Sequence, residues 1–285
     1  MEIIRSVESL NTYFKENKKT VGFVPTMGSI HDGHLSLVDL AKKRFDLTCV
    51  SIFVNPTQFG PNEDFMNYPR SENEDLRFLG DANVDIVYLP QELDVYPYGT
   101  QHKTEISLEH LSKFLCGKSR PLHFEGVLGV VLRLINQVKP DGIFLGKKDY
   151  QQCKLLEFMI KDLQIPTAVY FGEIVRDSNG LAISSRNKYL DQRELVVASQ
   201  LFKSLSEIKE FFIGTACCDE KELINFLSEQ YKKIESKGFK VEYLEIRDSL
   251  SLGSCDSLKS NQEYILLVAA KLNNVRLIDN IEFTL

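Results

Sequence analysis

The apolar run Val21 to Val24 hands over to a turn, Pro25-Thr26-Met27-Gly28-Ser29-Ile30-His31-Asp32-Gly33-His34, and no other stretch constrains the fold as much. From His34 to Arg44 the apolar residues Leu37, Val38 and Ala41 fall on one side of a helix, and Leu47 to Val54 is again rich in β-formers. Strand, helix and strand in so short a span form a βαβ unit, with a right-handed crossover and a parallel sheet. Taken singly, either histidine reads as an ordinary surface or core residue. Paired at the mouth of a helix after a glycine-bearing turn, His31 and His34 stand where backbone N–H groups and the helix dipole favour phosphate.

Further strands are expected at Val84 to Leu89, Gly142 to Leu145 and Thr167 to about Val175, with a helix from about Asp149 to Leu163. The fold class this implies is α/β, a doubly wound parallel (Rossmann-like) sheet over residues 1–175. After Arg176 the pattern changes. Asp191 to Phe212 and Glu220 to Lys237 read as amphipathic helices, and β-rich stretches follow at Val241 to Ile246, Tyr264 to Ala270 and Val275 to Phe283. Helices followed by strands imply a second, smaller α+β C-terminal domain over residues 176–285, a lid, entered through the turn Asp177-Ser178-Asn179-Gly180.

Two domains suit 285 residues, of which 43% are hydrophobic and 26% charged, enough for a full core. The net charge of −6 argues against a broad nucleic-acid surface, so a phosphate site has to be a local arrangement of basic side chains and backbone amides. Six cysteines (Cys49, Cys116, Cys153, Cys217, Cys218 and Cys255) include no Cys-x-x-Cys and no zinc spacing, which predicts reduced thiols. The N-terminal residues lack a signal-peptide core, and no run of about 18 apolar residues occurs. A cytoplasmic protein with no membrane partner is expected.

In open parallel sheets, ligands collect beyond the carboxyl ends of the strands, and three expected strands end in polar motifs. The first is the histidine turn; the second is Asn55-Pro56-Thr57-Gln58-Phe59-Gly60; the third is Gly146-Lys147-Lys148-Asp149. Gly146 permits close approach of backbone to ligand, Lys148 offers an ammonium to phosphate, and Asp149 is placed to cap the next helix or meet a ribose hydroxyl. Ile183-Ser184-Ser185-Arg186-Asn187 reads either as a capping turn or as a mobile loop whose Arg186 closes over a triphosphate. Arg120 and His123, in Ser119 to Gly126, are available for a carboxylate and a hydroxyl. Gln151 and Gln152 are helix neighbours, so at most one of them faces substrate. On residues alone, a ligase, a nucleotidyltransferase that stops at an adenylylated or cytidylylated product and a nucleotide-binding regulatory module all stay open.

With these motifs assembled, the chain resembles the pantoate–β-alanine ligase family, within the nucleotidyltransferases that share His-x-Gly-His with class I aminoacyl-tRNA synthetases. The most specific stretch is Phe53-Val54-Asn55-Pro56-Thr57-Gln58-Phe59-Gly60-Pro61-Asn62-Glu63-Asp64 with Tyr68-Pro69-Arg70, and Arg276-Leu277-Ile278-Asp279-Asn280 is similar to the family's ending. The resemblance implies ATP along Met27 and Gly28 to His34, at Gly146, Lys147, Lys148 and Asp149, near Val175, and at Ile183, Ser184, Ser185 and Arg186. It implies catalytic roles for His34 as proton donor and for His31, Lys148 and Arg186. Gln58 and Gln152 would hold pantoate, with Asn55, Arg120 and His123 nearby, and Gln58 would border β-alanine. Mg²⁺ would ride on the ATP phosphates, helped by Asp75, and the protein would be a homodimer. Three positions depart from the expected pattern: Lys147 stands where Glu is usual, Leu122 where Gly is usual, and Glu125 where Arg is common. Leu122 is expected to add bulk beside His123.

Overall fold

A computed structural model gives the architecture, and the described residues are 1–61, 63–213 and 219–285. Asn62, Cys217 and Cys218 lie outside them. The chain divides into two compact units, Met1–Lys147 with Gln151–Glu173, and Lys148–Tyr150 with Ile174–Leu285.

The first unit is built on β1 (Glu2–Ile4), α1 (Val7–Glu16), β2 (Val21–Thr26), α2 (Asp32–Lys42), β3 (Leu47–Ile52), α3 (Glu72–Asp81), β4 (Ile86–Tyr88), α4 (His123–Val138), β5 (Gly142–Gly146), α5 (Tyr150–Asp162) and β6 (Ala168–Gly172), short helical turns being left unlabelled. All six strands are parallel, in the order β1-β4-β3-β2-β5-β6. Alternation decides which face each side chain covers. Val24, Val50, Val87 and Phe144 pack with Leu37, Val38, Ala41 and Leu79 of α2 and α3, while on α4 the Gln137 side chain accepts the Tyr88 hydroxyl at 3.0 Å. Because both faces are covered, β2 and β3 are buried nearly throughout, which is why they read as continuous apolar runs.

The strand order fixes where a ligand can enter. From β2 the chain winds outward through β3 and β4, then returns to lay β5 on the other side of β2, with Gly22 beside Gly142. The loops after β2 and β5 therefore leave neighbouring strands in divergent directions, and that divergence opens a crevice at the carboxyl end.

In the second unit α6 (Gln192–Ala198), α7 (Gln200–Ile213) and α8 (Glu220–Glu235) precede an antiparallel sheet β7 (Phe239–Asp248), β8 (Glu263–Leu272), β9 (Val275–Thr284). Asp191 with Glu194 and Asp219 with Glu222 form capping boxes that start α6 and α8. The core joins Leu205, Ile208 and Phe212 of α7 to Leu266, Val268 and Ala270 of β8. The single helix expected over Asp191 to Phe212 is two, because the Ser199 hydroxyl donates back to the Val196 carbonyl (2.8 Å) where the first helix ends. Cys49, Cys116, Cys153 and Cys255 are thiols, held in no disulfide. Among the described residues no helix is long and apolar enough to cross a membrane.

Candidate active site

The turn after β2 is built from backbone and one carboxylate. The Thr26 hydroxyl donates to the Ser51 carbonyl (2.7 Å) and accepts the Gly28 N–H (3.1 Å). Gly28 at φ +81° and Ser29 at +51° then turn the chain so that the Ser29 and Ile30 amides both donate to Asp75 of α3, at 2.9 and 2.7 Å. A Cβ on Gly28 would lie 2.9 Å from an Asp75 oxygen, so this position needs glycine for space as well as for its positive φ. Asp75 was expected to help magnesium. Its carboxylate is buried at 2% exposure with one oxygen on each of two amides, which makes it a holder of the loop. Among the described residues no group of three or more His, Cys, Asp or Glu is arranged to hold a metal.

His31 follows as the extended residue before α2, and His34 sits in the first turn. Their rings stack, with centroids 4.0 Å apart and planes 25° from parallel. Gly33 leaves room for this, since a Cβ there would come 3.0 Å from the His31 ring. Two half-buried imidazoles thus lie against the positive end of a helix.

The turn after β3 is a closed amide network. Asn55, 1% exposed, accepts from the Tyr96 hydroxyl (2.8 Å), the Thr57 hydroxyl (3.1 Å) and the Thr57 N–H (3.3 Å), and donates to the Gly126 carbonyl and to Gln58 Oε1, both at 3.1 Å. Asn55 is therefore saturated within the protein, whereas the resemblance put it beside pantoate. Gln58 Nε2 donates to the Met27 sulfur at 3.1 Å, which fixes the amide the right way round and ties the second loop to the first. α4 comes so close to this turn that a Cβ on Gly126 would stand 2.4 Å from the Thr57 carbonyl oxygen.

Arg120, expected to be available for a carboxylate, already holds one: its Nε and Nη2 donate to Glu63 at 2.6 and 2.8 Å. Burial pushes the Glu63 carboxyl up, but the Arg120 fork and the Gly60 N–H outweigh it and hold it at about 2. His123 lies between Arg120 Nη1 (2.8 Å) and the Gln58 carbonyl (2.8 Å). Leu122 does not crowd it. That side chain is 73% exposed, and its cost is instead a left-handed backbone, φ +66°, of the kind glycine adopts freely.

Beyond β5, Lys147 pairs with Glu173 at 2.7 Å. Of the two glutamines, Gln151 is consumed by structure, accepting the Cys116 N–H (3.1 Å) and donating to the Leu111 and Phe114 carbonyls (2.8 and 3.0 Å). Gln152 is half-buried, leaving it as the glutamine with an amide to offer a ligand.

In the second unit, Lys148 lies 3.5 Å from Asp149, and its carbonyl accepts from Asn280 Nδ2 at 3.1 Å. Val175 and Ile183 close a hairpin (2.9 Å) whose Gly180 sits at φ +90° and whose Asp177 side chain accepts two of its amides. Arg176, in this hairpin, makes a fork to Asp279 (2.7 and 2.8 Å), donates to the Gly180 carbonyl (3.0 Å) and lies 3.6 Å over the Phe202 ring. Ser184 then caps a 3-10 turn, Ser185–Tyr189, by accepting the Arg186 N–H at 3.3 Å, and Ser185 is buried. Sequence reasoning assigned no role to Glu63, Arg176, Asp279 or Asn280. Three of these stood inside motifs it quoted, and Arg176 lacked even that signal.

The model of the family described as pantoate-beta-alanine ligase matches residues 2–282. The chain belongs to the pantoate–β-alanine ligase family. Pantothenate synthetases from a Sulfurihydrogenibium strain and from Thermosipho africanus are 44% and 42% identical, covering 99% and 98% of this chain and 100% and 99% of theirs. The crystal structure of pantothenate synthetase from Thermus thermophilus superposes with a TM-score of 0.87 at 34% identity, over 99% of both chains. That of the Francisella tularensis ligase, complexed with β,γ ATP and β-alanine, gives 0.81 at 36%, over 99% of this chain and 97% of that one. As a pantoate–β-alanine ligase, the protein condenses pantoate with β-alanine through a pantoyl-adenylate, converting ATP to AMP and pyrophosphate.

Proposed function

We propose a division of labour in which neutral amides of the first unit select pantoate, while imidazoles, basic side chains and backbone N–H groups handle the triphosphate. The observation that carries it is Gln58: 8% exposed, with amide orientation set by Asn55 and Met27, it keeps one N–H and one lone pair for an acid, and it adds no charge. Gln152 supplies the second amide. Met27, Gly28, His31, His34, Gly146 and Lys147 of the first unit and Lys148, Asp149, Val175, Ile183, Ser184, Ser185 and Arg186 of the second are assigned to ATP. Asp75 holds the nucleotide loop, Asn55 holds Gln58, and Mg²⁺ enters as part of the Mg-ATP substrate.

In the first step a pantoate carboxylate oxygen bonds to the α-phosphorus as the bond to pyrophosphate breaks. Two anions have to meet, and His34, Lys148 and Arg186 offset their repulsion while the glutamines hold the acid in line. In the second step the β-alanine amine bonds to the acyl carbon, and AMP leaves. Enzyme with Mg-ATP and pantoate but no β-alanine should release about one equivalent of pyrophosphate per site, since a carboxylate becomes an acyl donor only after adenylation. Release of ADP and phosphate, or a strict need for β-alanine, would overturn this order. The protein is further proposed to act as a cytoplasmic homodimer; light scattering that returns 32.6 kDa, the mass of one chain, would refute the dimer.

A further inference from the structure

The stretch from Phe59 to Arg70 carries the second half of the motif Phe53 to Asp64 together with Tyr68-Pro69-Arg70, yet neither chemical step draws on most of it. Its described residues fold back on themselves. Arg70 donates to the carbonyls of Phe65 (3.0 Å), Tyr68 (3.3 Å) and Met66 (3.4 Å), and the Phe59 ring lies 5.4 Å from Phe65 and 5.8 Å from Tyr68. From this strap the Glu63 side chain, 24% exposed and anchored by the Gly60 N–H at 3.2 Å, reaches across to fork onto Arg120, 13% exposed.

That fork governs the proton on His123. Arg120 uses Nε and Nη2 on Glu63 and points Nη1 at His123 Nε2. A guanidinium only donates, so Nε2 accepts, and the imidazole proton sits on Nδ1, where it donates to the Gln58 carbonyl at 2.8 Å. In the opposite tautomer Nδ1 and that carbonyl would face each other with lone pairs, and the turn would keep its Asn55 bond to the Gly126 carbonyl but lose the anchor on α4 that holds Gln58 itself.

We propose that Glu63 is a positioning residue for the acid site: by fixing Arg120 it selects the Nδ1–H form of His123 and so holds Gln58 where pantoate meets it. This rests on the assignment of Gln58 to pantoate. Glu63 touches no substrate; it acts through Arg120, which makes it separable from ATP binding.

The test is Glu63→Gln in the full-length enzyme, assayed with Mg-ATP, pantoate and β-alanine. The expected result is a KM for pantoate raised about tenfold, kcat within about twofold and KM for ATP unchanged. Nitrogen-15 NMR should show His123 as the Nδ1–H form in the parent and a mixture of tautomers in the variant. An unchanged KM for pantoate in folded protein, an equal rise in KM for ATP, or an unchanged tautomer overturns the proposal. Should Glu63→Gln fail to fold, Glu63→Asp, too short for the fork, should raise the pantoate KM about threefold, and no rise would be equally fatal. Gln58→Ala separates the two levels: if it too leaves the pantoate KM unchanged, the assignment of Gln58 is wrong; if only the Glu63 variants do, the relay alone is wrong.

Discussion

The two units fix their functional loops by different physics. In the first, the turns after β2 and β3 are held by backbone amides on a buried carboxylate and by a neutral network around Asn55 and Gln58. In the second, the hairpin at Val175 to Ile183 is fixed by an ion pair, Arg176 on Asp279, with the Asp279 side chain 3% exposed. Neutral networks tolerate the loss of one member at the cost of an unsatisfied group. A buried ion pair, once broken, leaves a whole charge without a partner. The first unit thus holds its turns through backbone amides and neutral side chains, with charge entering through Asp75 and the Glu63–Arg120 fork, whereas the hairpin of the second unit rests directly on an ion pair.

The largest effect expected is on chemistry. His34→Ala should cut turnover by about two to four orders of magnitude while the fold survives, because the stacked imidazoles hold no core together. A folded variant retaining more than about a tenth of the parent rate removes His34 from the mechanism. The comparison itself is sharpened by urea unfolding of Asp279→Ala and Asp75→Ala. The first should lose about 3–5 kcal/mol by stranding Arg176, the second about 1–3 kcal/mol by stranding two amides. Equal losses would erase the distinction between the units.

Acid should act on Glu63. Its folded value of about 2 lies below its ordinary 4.5. Stability from the Arg120 fork is therefore fully present above about pH 4.5 and is lost as pH falls toward 2. Glu63→Gln should flatten that part of the acid-unfolding curve, and a curve parallel to the parent's would contradict the ion pair. The smallest effect is at Leu122. Replacing it by glycine should stabilise the first unit by about 0.5–1 kcal/mol, the left-handed strain relieved less the extra freedom of an unfolded glycine, and a loss of stability would show the strain is not real.

Much of this was legible in the sequence, for reasons the structure makes plain. β2 and β3 are buried on both faces and announce themselves as apolar runs, and the three polar motifs do follow the carboxyl ends of β2, β3 and β5. α4 is the helix the sequence reading passed over. It begins after Leu122, which offers no capping side chain, so the start signal is missing even though its apolar residues fall strongly on one side. The site was legible as residue types but not as bonds. Arg120, Asn55 and Asp75 all looked available to a ligand, and each is engaged by a partner far along the chain: Glu63, Tyr96 and Gly126, and the Ser29 and Ile30 amides. Of two adjacent glutamines, sequence could say that at most one faces the ligand. Only the three bonds of Gln151 show which one does not.

Equilibrium binding of pantoate and of a non-hydrolysable ATP analogue to Gln58→Ala and Lys148→Ala tests the division of labour most directly. The amide variant should lose at least about tenfold in pantoate affinity with ATP-analogue affinity unchanged, and the lysine variant should do the reverse. If both variants lose both ligands equally, neutral selection of the acid and charged handling of the triphosphate are not separate functions of the two sets of residues.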